Sequence, residues 1–209
     1  MKMRNLLVFG LALVIPALPA LADDFLPPEW RDGDRTVVAK WGFGTALSPA
    51  PADYFVSVPS GLVRPNATIT PAPSASWLST WEGRTGVWPL SGEIEIPFPN
   101  FTDGDQKDVY IQLTWWEAVC GPGPTVTIQV PDKLPVNATL RFNDNLGGGW
   151  YHSIYTGIII PNPNMETIRI SGDIYMDQVV IDTICPEPGT MFLLGLGALG
   201  TLIRRRRKA

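Results

Sequence analysis

The sequence predicts an all-β body, an antiparallel β-sandwich of jelly-roll type, between a signal helix at the N-terminus and a short membrane helix at the C-terminus. Two observations predict the sandwich. Apolar residues in the body recur with a period of two, the mark of strands buried on one face. Turn-forming clusters punctuate these runs, and no stretch of helical period is present to support parallel crossovers. A propeller or solenoid would carry self-similarity at a fixed period, which the body lacks.

The elements follow in order. Lys2 and Arg4 precede an apolar run from Leu6 to Ala17, and Ala20-Leu21-Ala22 places small residues on the leaving side of a cleavage site before Asp23. Residues 1–22 therefore read as a secretory signal, cut by signal peptidase after Ala22 with Ala20 as the other recognition residue. An uncleaved anchor needs roughly 20 apolar residues, more than this run holds. The mature body is expected over residues 23–185, a usual size for one domain with its own core.

Within the body, Val37, Ala39, Trp41 and Phe43 alternate with Thr36, Val38 and Lys40, and Ile94 and Ile96 alternate with Glu93 and Glu95. Val109, Ile111, Leu113 and Trp115 alternate with Tyr110, Gln112, Thr114 and Trp116. Further strands are expected over Tyr54–Val58, Thr125–Val130, Ala138–Phe142, Trp150–Ile160, Glu166–Ser171 and Asp173–Ile184. Asp103-Gly104, Gly121-Pro122-Gly123-Pro124, Gly147-Gly148-Gly149 and Pro161-Asn162-Pro163 supply turns between them.

Charge excludes one function class. Two of the 16 Lys and Arg lie in the signal and five in the last residues, leaving nine in the body against nineteen of the 20 Asp and Glu, a net of −10. Such a surface repels phosphate backbones, so nucleic acid is not an expected partner.

The C-terminal segment, residues 186–209, has three parts in order. Pro186-Glu187-Pro188 comes first, then the apolar run Met191 to Ile203, then Arg204, Arg205, Arg206, Arg207 and Lys208. Basic flanks stay on the cytoplasmic side, so the body faces outward and the run sits in the inner membrane as a stop-transfer segment. Gly195-Leu196-Gly197-Ala198-Leu199-Gly200 has the glycine spacing of a dinucleotide loop but lacks the later acidic residue, and its glycines suit close packing of a membrane helix. This order of parts resembles the PEP-CTERM sorting signal of Gram-negative bacteria. The resemblance implies export, transient anchoring in the inner membrane, recognition by an exosortase and delivery to the cell surface or extracellular matrix. Within the body, residues 83–92, Ile111 to Trp115, Trp150 to Ser153 and Val180 to Cys185 resemble a domain carried by other PEP-CTERM proteins, a likeness that implies architecture and no activity.

Candidate chemistry is sparse. Neighbours on a strand point to opposite faces, so of Trp115 and Trp116 one must face outward, and with Trp77 and Trp81 they are the candidate rings for stacking on sugars. Asp103, Asp105 and Asp108 gather carboxylates in one turn, a donor set that suits a structural calcium, with ordinary solvated turns as the alternative. Asp32, Asp34, Asp173, Asp177 and Asp182 are further oxygen donors. Glu93 and Glu95 share a strand face as carboxylates do in some jelly-roll glycosidases, but Pro97, Phe98 and Pro99 follow where a third acid is needed. The solvent-facing side of an edge strand is the simpler reading. His152, the single histidine, is expected as a cross-strand partner, and no Gly-x-Ser-x-Gly elbow is present. Cys120 and Cys185 are candidates for one disulfide in an oxidising compartment.

No catalytic residue and no cofactor is expected. Two functions from different classes remain: a non-catalytic envelope or matrix protein whose outward aromatics bind polysaccharide, and a secreted polysaccharide hydrolase of jelly-roll type.

Overall fold

The computed structural model describes residues 24–102, 104–118, 121 and 123–186. These contain β1 (Thr36–Trp41), β2 (Ala50–Pro51), β3 (Tyr54–Val58), β4 (Asn66–Ile69), β5 (Leu78–Trp81), β6 (Arg84–Leu90) and β7 (Glu93–Pro99). They continue with β8 (Lys107–Glu117), β9 (Thr125–Gln129), β10 (Val136–Asn137), β11 (Thr139–Gly147), β12 (Trp150–Ile159), β13 (Met165–Ser171) and β14 (Ile174–Ile184). All strand pairs among the described residues are antiparallel. The large sheet runs β11-β12-β8-β14-β1-β3, with β6 beside the start of β14 and β5 beside β6. The small sheet runs β10-β9-β13-β7-β4-β2.

The period-two pattern explains how the sheets meet. Val109, Ile111, Leu113 and Trp115 of β8, Val179 and Ile181 of β14 and Val37, Ala39 and Trp41 of β1 form one buried cluster with residues of the small sheet. The small sheet contributes Ile94, Ile96 and Phe98 of β7 and Ile168 and Ile170 of β13. They approach closely at Gly157, where an added Cβ would stand 2.5 Å from Ile128 Cδ1. The body is thus the expected antiparallel sandwich. Strands β2, β4, β5, β6 and β10 were not among those expected from the sequence. The pairing partners of β4 and β6, β7 and β14, supply the ladder that propensity did not.

Polar residues on the outer face of the large sheet are also buried. Gln112, Thr114, His152 and Asp182 are covered there, and part of the cover is the chain that precedes β1. Leu26 N donates to Gln112 Oε1 at 3.3 Å, Tyr110 OH donates to Leu26 O at 2.8 Å, and the Phe25 ring meets His152 edge-on at 5.0 Å. Arg31 grips Asp182 with two bonds, Nε to Oδ1 at 2.5 Å and Nη2 to Oδ2 at 2.6 Å. Arg31 also bonds Asp24, which accepts further bonds from Lys40 Nζ at 2.6 Å and Gln112 Nε2 at 2.8 Å. Burial pushes the Asp182 carboxyl up to about 6 against the pull of Arg31. Burial opposes ionisation of Asp24 as well, but the bonds from Arg31, Lys40 and Gln112 prevail and hold it at about 2.

The signal helix with Ala20 and Ala22, and the tail beyond Pro186 with Glu187, Pro188, the apolar run and the block Arg204 to Lys208, lie outside the described residues. Among the described residues no helix is long and apolar enough to cross a membrane.

Candidate functional site

Alternation along β8 decides the roles of its two tryptophans. Trp115 shares the parity of Leu113 and is directed into the core, 4% exposed, stacked on Tyr151 at 4.8 Å and donating Nε1–H to Ser153 Oγ at 2.8 Å. Trp116 is therefore the outward ring. Its neighbours are set by register: Trp150 of β12 lies opposite on one side and Tyr175 of β14 on the other. The β5–β6 hairpin then lays Trp81 over Tyr175, the two rings stacked at 4.8 Å and 3° from parallel. Trp116 stands nearly perpendicular to both, 5.8 Å from Trp81 and 5.3 Å from Tyr175. Three half-buried rings from three strands, β5, β8 and β14, thus converge on one end of the large sheet's outer face.

Backbone and charge hold this cluster in place. The turn joining β11 to β12 is Gly147-Gly148-Gly149, all at positive φ. Gly149 permits a close approach, since a Cβ there would stand 2.4 Å from Trp116 Nε1. That indole donates instead to Gly148 O at 2.9 Å. Beneath, Trp150 Nε1 donates to Glu82 O at 3.0 Å, and the Arg84 guanidinium lies 5.0 Å from the Trp150 ring. Arg84 also pairs with Asp177, the extra residue of a β14 bulge between Met176 and Gln178, at 2.7 Å. On the core side of the same sheet end, a cavity of about 220 Å³ is lined by Trp115, Tyr151, Ser153, Asn143 and Glu117. Its polar chain runs from Trp115 to Ser153 and on to Asn143 Oδ1 at 2.7 Å.

Of the rings expected to stack on sugars, the structure brings Trp81 and Trp116 together and separates the others. Trp115 is core. Trp77 packs against the core elsewhere, with its Nε1 donating to Phe43 O at 2.8 Å. Tyr175 was not singled out from the sequence, because only the β8–β14 register places it beside Trp116.

The remaining candidates are placed as follows. Glu93 and Glu95 lie on the solvent side of β7, but β7 is flanked by β13 and β4, so the edge-strand reading is corrected. Both face Arg169 across the strand pair, at 3.5 and 2.7 Å. Asp177 and Asp182, read as spare oxygen donors, are each taken by an arginine. In the acidic turn, Asp103 lies outside the described residues and Asp108 accepts from Gln106 at 2.6 Å. Among the described residues, no group of three or more His, Cys, Asp and Glu could hold a metal ion. His152 is buried and sits opposite Thr114, whose Oγ1 is 3.3 Å from Nδ1, as a cross-strand partner should. Cys120 lies outside the described residues. Cys185 is buried after β14, 3.4 Å from Phe101 O and from Asn162 Nδ2.

The β14 strand ends at Ile184, and Cys185 and Pro186 lead directly from the sandwich into the tail. No curated protein matches the chain. A family model, the PEP-CTERM protein-sorting motif, matches residues 185–208. The chain therefore carries a PEP-CTERM sorting motif directly after the last strand of a β-sandwich, and that motif indicates export and membrane-anchored sorting to the cell surface.

Proposed function

We propose that the body is a non-catalytic polysaccharide-binding module of the cell envelope or extracellular matrix, with the Trp81–Trp116–Tyr175 cluster as its contact surface. The observation that carries this reading is the convergence of three half-buried aromatic rings at one sheet end, buttressed from below by Trp150 and Arg84. Aromatic faces stack on the C–H faces of neutral sugars, and rigid rings lose little conformational freedom on binding. The acidic body favours neutral glycans over anionic ones. Hydrolysis of a glycoside uses a pair of carboxylates across the bond. Glu93 and Glu95 are engaged by Arg169, and among the described residues Glu117 is the one carboxylate lining the core-side cavity.

A glycan array combined with a reducing-sugar assay on the exported protein tests the proposal. Retention on at least one neutral polysaccharide without release of reducing ends is the expected result. Steady release of reducing sugar would replace it with the hydrolase reading, and no retention on any glycan would reject binding.

A further inference from the structure

The opposite end of the sandwich holds a different cluster. Lys107 opens β8 in phase with Val109 and Ile111, so its side chain enters the core and is fully buried. Glu166 lies in phase with Ile168 and Ile170 on the facing sheet and is 1% exposed. One Glu166 oxygen accepts from Lys107 Nζ and the other from Asn100 Nδ2. Asn100 follows β7 and is 7% exposed; its amide also donates to Pro163 O at 2.8 Å. Its Oδ1 is buried and meets no donor among the described residues. The Phe98 ring lies 5.2 Å from Nζ and Cys185 closes the site on the tail side. An amine, a carboxamide and a carboxyl group that touches both are thus enclosed together.

We propose that Lys107 and Asn100 join in an intramolecular isopeptide bond, with Glu166 carrying the protons. The nucleophile is the neutral amine, and the site supplies it. Burial lowers Lys107 and raises Glu166, so the proton they share moves toward the carboxyl and leaves Nζ with a free electron pair. That pair attacks Asn100 Cγ, forming the Nζ–Cγ bond and placing the carbonyl electrons on Oδ1. Glu166 accepts a proton from Nζ on one oxygen and delivers one to Nδ2 from the other, the two atoms it already bonds. The carbonyl reforms, the Cγ–Nδ2 bond breaks and ammonia leaves. Nothing is oxidised or reduced, and Glu166 ends protonated, as it began. Holding the three groups in contact replaces an encounter in solution, which is the largest obstacle to aminolysis of an unactivated amide. The bond ties the end of β7 in one sheet to the start of β8 in the other, beside the exit to the sorting tail.

The test is mass spectrometry of the full chain after export. Cleavage on the amino side of Asp103, Asp105 and Asp108 separates Asn100 from Lys107 in a linear chain. The expected product is a branched peptide holding both residues, lighter than its two parts by one ammonia beyond the cleavage products. Asn100→Asp should give the same branch with loss of one water in place of ammonia, and Lys107→Met should give none. Two separate unmodified peptides from the wild-type protein would overturn the proposal and leave Lys107–Glu166 as an ion pair alone. Ammonia loss at Asn100 without a branch, the mark of a succinimide, would overturn it as well.

Discussion

Replacing Asp24 with Asn isolates the fastening of the N-terminal segment to the sheet. Asp24 accepts from Arg31, Lys40 and Gln112, and the asparagine keeps its shape while removing the charge that two of these donors need. A carboxyl lowered from 3.8 to about 2 represents about 2.5 kcal/mol of stability at pH 7 if nothing screens it. The Asp24 side chain is 12% exposed and its partners Arg31 and Lys40 are 13% and 24% exposed, so water screens the network in part and the expected loss is about 1 to 2 kcal/mol. The sign follows from linkage. The native carboxylate ionises below the unfolded one, so its contribution is complete above about pH 4 and disappears as pH falls toward 2. By pH 3 the gap between wild type and variant should shrink to about half. Urea unfolding at pH 7 and pH 3 measures the gap. A gap of equal size at both values would refute the assignment of Asp24 as the charge that fastens the segment, and no gap at pH 7 would refute the fastening itself.

In a host carrying its exosortase, the surface-exposed protein is expected to have lost the residues beyond the PEP motif, with Glu187→Ala impairing sorting; intact mass showing Arg204 to Ala209 still attached would contradict this. Peptide mapping without reductant is expected to show no Cys120–Cys185 link. Cys185 follows Ile184, which lies opposite Asp108, whereas Glu117 lies opposite Ile174 ten residues away, about 33 Å along the strand. Three residues from Glu117 reach at most about 11 Å, and a bridge needs Cα atoms within about 7 Å. A linked peptide would show that the β8–β14 register is wrong.

How much of this was legible in the sequence depends on whether parity alone carries the information. The central strands β8, β12 and β14 were readable, because each is a run of ten or eleven residues bounded by turn formers, and in β8 apolar residues alternate from Val109 to Trp115. The opposed faces of Trp115 and Trp116 followed from the same parity. Their surroundings did not, since Tyr175 and Trp150 become neighbours of Trp116 only through the pairing of distant strands. Gln112 and Asp182 sit at outward parity yet are buried, because the chain preceding β1 covers them. The Lys107–Glu166–Asn100 cluster was missed although a signal existed. Lys107 is in phase with Val109 and Ile111, and Glu166 with Ile168 and Ile170, so two opposite charges occupy inward positions of facing strands. In the sequence Lys107 falls between Asp105 and Asp108 of the acidic turn, ahead of Val109, where the expected alternation begins.

The central claim is that outward rings bind glycan while inward rings hold the fold, and affinity electrophoresis of Trp116→Ala beside Trp115→Ala, with a melting curve for each, tests it most directly. Trp116→Ala is expected to lose about 1 to 3 kcal/mol of binding, in keeping with other aromatic stacking contacts, with a smaller change in melting. Trp115→Ala empties a core site and should destabilise the body by about 3 to 5 kcal/mol. Binding through the cluster should also be weakly salt-dependent, since neutral sugars carry no charge to screen. Retention of Trp116→Ala equal to wild type, on a polysaccharide that retains the wild-type protein, would contradict the account.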